Sequence, residues 1–144
     1  MSSWIGTART NYVKVKDQSG LEQYFAKFGN QVKINLVPLD SGRYPGMTCF
    51  IGDNPDSGDF PSVVWDAESK EVIFEWSEVC KFLEPEQILV VMTSGAERKR
   101  YVTGTSEAYH TTTGKSTFID ISHIYKQAAK KFNVDIDSIN LCQF

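Results

Sequence analysis

Apolar residues recur at helical spacing in two segments of the chain. In the first, residues 18–28, they occupy the i, i+3, i+4 and i+7 positions of one face, at Leu21, Tyr24, Phe25 and Phe28. Asp17 or Ser19 supplies a capping oxygen at the N-terminal end, and Gly29 tolerates the left-handed conformation at the C-terminal end. The pattern predicts an amphipathic helix that packs one face against a core.

The second helical segment is residues 120–132, near the C-terminus. Its apolar stripe is formed by Ile121, Ile124, Tyr125, Ala128 and Phe132. Lys126, Lys130 and Lys131 lie toward solvent and complement the negative C-terminal end of the helix dipole. This is the most regular helical pattern in the sequence, and it predicts a second packed helix.

Strands are predicted where apolar residues alternate with polar ones or form a short run. Val13 and Val15 alternate with lysines, which predicts a strand over residues 9–16. The strands on either side of residues 67–70 form a hairpin, and residues 95–98 are predicted to be a turn. The further predicted strands are residues 32–36, 47–51, 62–66, 71–76, 88–92, 99–109, 117–119 and 138–142, with a short helix over 77–83.

These elements include too few helices to cover both faces of a parallel sheet. The sequence therefore predicts one α+β domain over residues 1–144, with an antiparallel or mixed sheet and the two main helices packed on one face. A length of 144 residues and a hydrophobic content of 41% fit a single domain with its own core.

Cysteine usage and hydropathy indicate the compartment. Cys49, Cys80 and Cys142 are odd in number, far apart and set among apolar neighbours, which predicts buried thiols in a reducing compartment instead of disulfides or a zinc site. No run of 18 apolar residues and no N-terminal signal pattern occurs. The expectation is a cytoplasmic protein with no membrane partner.

Acidic residues are concentrated in one segment. The net charge is −3, but residues 53–86 contain ten acidic side chains against two lysines, a local balance of −8. Such a segment either steers a basic partner or forms solvated loop and hairpin faces, and the sequence leaves both interpretations open. The acidic candidates for partner binding are Asp53, Asp56, Asp59 and Glu68.

Two further features are candidates for partner binding. The densest positive cluster is Arg98, Lys99 and Arg100, which suits phosphate or an acidic surface but is equally typical of a solvated turn. Trp4, before the first strand, is predicted to be exposed and to anchor a partner. The other two tryptophans are predicted to be core residues, Trp65 and Trp76.

None of the catalytic or cofactor motifs considered is complete. The Gly-Lys-Ser sequence at 114–116 ends like a phosphate-binding loop, but Tyr109 stands where the first glycine belongs. The aspartates of residues 53–59 lack the ligand spacing of a calcium loop. His110 and His123 have no accompanying motif, and an active site around either is kept only as a minor alternative. We therefore expect no catalytic residue, metal or cofactor.

Two stretches of the chain resemble small accessory proteins encoded by phages and other mobile elements. They are residues 4–17, which read WIGTARTNYVKVKD, and residues 94–104, which read SGAERKRYVTG. The order of elements between and after them is similar too. The resemblance implies a fold and a genomic setting in which short, acidic, non-enzymatic proteins block host defences by binding them, and it implies no catalytic residues.

The leading hypothesis is a non-catalytic accessory protein that binds a host protein and occludes its surface, with inhibitors of CRISPR or restriction systems as the specific form. The alternative is a small nucleic-acid-associated regulatory module that uses the basic turn at residues 98–100. Nucleic acid is the less favoured ligand because a net-acidic chain neutralises phosphates poorly. Self-association into a homodimer is compatible with either hypothesis.

Overall fold

The fold is that of an α+β protein, described by a computed structural model for residues 4–29, 31–40, 42–97 and 101–142. The strands are β1 (Trp4–Thr10), β2 (Val32–Leu36), β3 (Thr48–Gly52), β4 (Val63–Trp65), β5 (Glu71–Ile73), β6 (Ile88–Glu97), β7 (Tyr101–His110) and β8 (Ser116–Asp120). The helices are α1 (Gln18–Ala26), α2 (Trp76–Cys80) and α3 (Ile124–Phe132), with 3-10 turns at Ile121–His123 and Ile136–Ser138.

Six of the strands form one antiparallel sheet in the order β2-β3-β1-β6-β7-β8. β1 pairs with β6 along its whole length, from Trp4 opposite Glu97 to Thr10 opposite Val91. β4 and β5 form a separate two-stranded hairpin. Of the two sheet types that the sequence predicted, the antiparallel one is confirmed for these strands.

The two faces of the six-stranded sheet differ in burial because successive residues of a strand point to opposite sides. One face, which we call the core face, carries the buried residues Ala8, Thr10, Phe50, Leu89 and Val91. The residues between them on β1 and β6, such as Arg9 and Met92, point to the opposite side, which we call the open face.

An aromatic cluster on the core face forms the centre of the core. Phe25 of α1 packs edge-on against Phe50 of β3, with ring centroids 5.3 Å apart. Phe60 packs against Trp76 of α2 with centroids 4.7 Å apart. The cluster therefore joins the first helix, the sheet and the segment around the hairpin into one core, which also contains Val79, Leu83 and Leu89.

α1 forms and packs as the sequence predicted. The carboxylate of Asp17 accepts a hydrogen bond of 3.0 Å from the backbone N–H of Gly20 and so caps the helix. Beyond the helix, Gly29 has φ of +65°, a conformation that a residue with a side chain rarely adopts. The apolar stripe of the helix segment is buried, at Leu21, Tyr24, Phe25 and Phe28.

α3 forms in the predicted segment, but none of its residues is buried. Ile124 is 58% exposed and Phe132 is 69% exposed. The main contacts of α3 are with the two 3-10 turns that flank it. The prediction of two main helices packed on one face is therefore not confirmed, since α1 alone packs in that way.

The main differences from the prediction concern three elements. The first strand is Trp4–Thr10 and not residues 9–16, where Val13 makes only an isolated bridge to Thr48. Gly95 is not in a turn but inside β6, opposite Gly6. Residues 138–142 contain no strand, and Ser138 is the last residue of the 3-10 turn Ile136–Ser138.

Candidate protein-binding surface

The β4–β5 hairpin presents an apolar row to solvent. Val64 and Val72 lie on the same side of the hairpin because they are paired across it, and this side packs against the core. The outward residues are Val63, which is 42% exposed, Trp65, which is 69% exposed, and Ile73, which is 54% exposed. The prediction that Trp65 is a core residue is wrong, whereas Trp76 is buried as predicted.

Asp66 fixes the turn of this hairpin. Its Oδ1 accepts hydrogen bonds from the backbone N–H of Glu68, at 2.9 Å, and of Lys70, at 2.8 Å. A backbone hydrogen bond of 2.9 Å also runs from the N–H of Asp66 to the carbonyl of Lys70. A further backbone hydrogen bond of 3.0 Å runs from the N–H of Ser69 to the carbonyl of Asp66, and together these four hydrogen bonds hold the backbone of the turn in one conformation.

Carboxylates form a rim around the apolar row. Glu71 lies opposite Trp65 on the same side of the hairpin, and Asp66 and Glu68 follow in the turn. Lys70 is the one cation of the turn and lies 3.3 Å from Glu68, in an exposed ion pair of little energetic weight. We call this surface the hairpin patch: Val63, Trp65, Asp66, Glu68, Glu71 and Ile73.

The aspartates of residues 53–59 are distributed around a loop that Asn54 organises. The Oδ1 of Asn54 accepts hydrogen bonds from the backbone N–H of Asp56, at 2.9 Å, and of Ser57, at 3.3 Å. Asp56 is exposed, and Asp53 lies 3.7 Å from Lys33 in an exposed pair. Of the acidic candidates in this loop, Asp53 and Asp56 are therefore exposed, and Asp53 is paired with Lys33.

Asp59 has a structural position in the same loop. Its Oδ1 accepts a hydrogen bond of 2.6 Å from the backbone N–H of Phe60, which begins the buried part of the segment. Burial raises the pKa of the Asp59 carboxyl above its ordinary value of 3.8, although the hydrogen bond from Phe60 opposes this. Asp59 is therefore less suited to partner binding than the sequence predicted.

Trp4 is half-buried, not projecting as a free anchor. Its indole ring lies against Gly95 of the neighbouring strand β6, where any larger residue would clash with it. The basic candidates Arg98, Lys99 and Arg100 lie outside the described residues. The structure thus places one of the eight sequence candidates, Glu68, in the hairpin patch.

The two histidines support turns in the backbone. The Nδ1 of His110 accepts hydrogen bonds of 3.2 Å from the backbone N–H groups of Thr112 and Thr113. The Nδ1 of His123 accepts a hydrogen bond of 3.4 Å from the backbone N–H of Asp120. Among the residues that the structure describes, no cluster of His, Cys, Asp or Glu is placed to hold a metal ion.

The open face of the sheet is the second exposed surface. Near β2 and β3 it is covered by a stack in which Tyr12 lies 4.9 Å from Tyr44, with Arg9 above Tyr12 and Arg43 above Tyr44. Cys49 is buried beneath this cover. Across β1, β6, β7 and β8 the face is uncovered, and it forms an open trough of about 400 Å³.

No family model, curated protein or solved structure matches the chain. Within the described residues, no helix has the length and apolar character needed to cross a membrane.

Proposed function

We propose that this protein is a non-catalytic binding protein that attaches to a host protein through the hairpin patch and occludes the surface that it covers. The observation that carries the proposal is the exposed apolar row Val63, Trp65 and Ile73 beside three carboxylates, two on the fixed turn and one on β5. A large aromatic anchor ringed by polar groups is the composition of a binding hot spot.

The exposure of Trp65 has a free-energy consequence. A tryptophan that is 69% exposed leaves about 3 kcal/mol of apolar burial unused, at ~25 cal/mol per Å². A partner with a matching pocket recovers that energy. Because the hairpin turn is already fixed by Asp66, little ordering entropy opposes the recovery.

The charge of the hairpin selects the kind of partner. Residues 63–75 carry four carboxylates, at Asp66, Glu68, Glu71 and Glu75, against Lys70, which gives −3. A basic surface complements this field and is steered toward it, with an effect mainly on the association rate. The proposed partner surface is therefore basic, with an apolar pocket for Trp65.

The finer form of the proposal is inhibition of a host defence. The resemblance of residues 4–17 and 94–104 to phage accessory proteins supports it. CRISPR and restriction proteins bind nucleic acid, and such binding surfaces are basic, as the charge of the hairpin patch requires. On this proposal the protein acts in the host cytoplasm and blocks a nucleic-acid-binding surface.

The test begins with capture of partners by the tagged protein from host lysate, with and without nuclease, followed by reconstitution of the complex from the purified partner. Trp65→Ser is expected to weaken the purified complex about 30-fold, the effect of losing a hot spot of ~2 kcal/mol. Leu39→Ser is the control, because Leu39 is 86% exposed and lies outside the patch. Equal loss in both variants, or in neither, would contradict the proposal.

Charge reversal locates the electrostatic contribution. Glu68→Lys is expected to slow association about tenfold at low salt, because it removes steering at the patch. Asp56→Lys changes the net charge equally at an exposed position outside the hairpin and is expected to have a smaller effect. A nuclease-sensitive capture that is lost when residues 98–100 become alanine would instead support the nucleic-acid-associated alternative.

A further inference from the structure

The outer side of an antiparallel sheet is normally solvated by many charged residues, but on β1, β6, β7 and β8 Arg9 is the only Asp, Glu, Lys or Arg that points to the open face. By register, no Asp or Glu of β1, β6, β7 or β8 points to this face. Small residues line its middle, at Ser94, Ala96, Gly104, Ser106 and Ala108. Five apolar residues that point to it are 50–80% exposed, at Ile5, Ile88, Met92, Val102 and Ile119, and Val90 is partly buried. Across these four strands the face is therefore mostly apolar, low in its middle and uncovered.

The C-terminal segment, residues 121–142, carries a second apolar surface, and we call this segment the hook. Its exposed apolar residues are Ile121, Ile124, Phe132, Val134, Ile136 and Leu141. Within the hook, the hydroxyl of Tyr125 accepts a hydrogen bond of 2.8 Å from the backbone N–H of Cys142. Ile121 attaches the hook to the rest of the chain by lying over Gly104, at one side of the trough.

The hook needs a covering surface for its own stability. α3 has nine residues, and a helix of that length is only marginally stable in water without packing. α1 also has nine residues, but it buries its apolar stripe in the core, whereas α3 buries none of its residues. Packing of the exposed stripe of α3 on another surface supplies the missing stabilisation.

The hook and the open face are complementary. The face offers an apolar trough with small residues at its centre, and the hook offers large apolar side chains such as Ile124 and Phe132. The exposed apolar residues of both surfaces present roughly 1,000 Å² on one copy, above the ~800 Å² that each partner contributes to a stable interface. Each copy thus carries both the hook and the trough, and the exposed apolar residues of both remain uncovered within that copy.

We propose that two copies of this chain form a symmetric dimer in which the hook of each copy lies in the open-face trough of the other. This arrangement repeats one contact twice and closes on itself, as a two-fold dimer must. The hairpin patch stays free, because its inward residues pack on the core face, on the other side of the sheet. The dimer would therefore present two copies of the proposed host-binding surface.

Sedimentation of the full chain, measured at micromolar to submillimolar concentrations, tests the dimer. The expected result is a species of twice the 16.2 kDa chain mass. Phe132→Ser and Ser94→Arg are each expected to raise the dimer dissociation constant at least tenfold, since one removes a hook side chain and the other fills the trough. Their matched controls are Leu39→Ser and Ser19→Arg, two exposed positions outside both surfaces.

Mixing the two defective variants distinguishes the dimer with reciprocal hook–trough contacts from dimers of other kinds. In a reciprocal dimer, a Phe132→Ser copy with an intact trough and a Ser94→Arg copy with an intact hook restore one of the two contacts. A mixture that dimerises more strongly than either variant alone supports the reciprocal hook–trough dimer. A wild-type monomer at all concentrations, a dimer insensitive to either variant, or a mixture without restoration would overturn the proposal.

Discussion

At the residue scale, Asp59 illustrates a carboxylate whose place in the loop is structural. Its raised pKa means that the native state binds a proton more tightly than the unfolded state does. The stability that this group contributes is full below 3.8 and is lost as pH rises through the raised native pKa. Asp59→Asn removes this loss, because the amide has no charge to desolvate and its oxygen still accepts from Phe60.

The expected result is that the stability difference between Asp59→Asn and the wild-type chain grows in favour of the variant as pH rises above 3.8. Urea unfolding across pH 3 to 7 measures it. Asp59→Ala is the contrasting variant, since it also removes the titrating group but leaves the Phe60 N–H without its acceptor, and it should be about 1 kcal/mol less stable than Asp59→Asn at every pH. A pH-independent difference for Asp59→Asn would show that burial does not disfavour the charge.

At the element scale, Tyr24 joins α1 to the segment between the hairpin and α2. Its hydroxyl accepts a hydrogen bond of 3.0 Å from the backbone N–H of Glu75 and donates one of 3.4 Å to the carbonyl of the same residue. Tyr24→Phe leaves a partly buried N–H unpaired and is expected to lower the free energy of unfolding by about 1–2 kcal/mol. Urea unfolding measures the loss.

Tyr125→Phe is the matched control for this prediction. The hydroxyl of Tyr125 accepts from the exposed backbone N–H of Cys142, which water satisfies in the variant. The expected loss is therefore below about 0.5 kcal/mol. Equal losses for the two variants would mean that the Tyr24 contact does not hold α1 to its neighbour.

The two main helices show how much of the fold the sequence predicts. α3 has the more regular apolar stripe of the two, and both helices form in the predicted segments. Periodicity predicts which side of a helix is apolar, but it does not predict which part of the molecule covers that side. Phe28 is buried by its own chain and Phe132 is 69% exposed, and this difference depends on tertiary packing that no local pattern contains.

At the scale of the whole molecule, the candidate site was only partly predictable. The acidic bias of residues 53–86 and the hairpin at 62–76 are visible in the sequence. The sequence predicts an exposed Trp4 and a buried Trp65, whereas Trp4 is half-buried and Trp65 is 69% exposed. Both predictions fail because the side of a strand that faces the core depends on register. The lack of carboxylates between β1 and β8 on the open face likewise appears only after the strands are paired in the observed register.

The distribution of charge over the molecule gives the last prediction. The hairpin patch is acidic, whereas the open face carries no carboxylate on β1, β6, β7 or β8. Raising the salt concentration from about 50 to 500 mM screens ionic contacts and leaves apolar burial intact. The dimer dissociation constant, measured by sedimentation, is therefore expected not to rise with salt, whereas association with a basic partner slows. A dimer that weakens tenfold in high salt would require an ionic contact in place of the hook and trough.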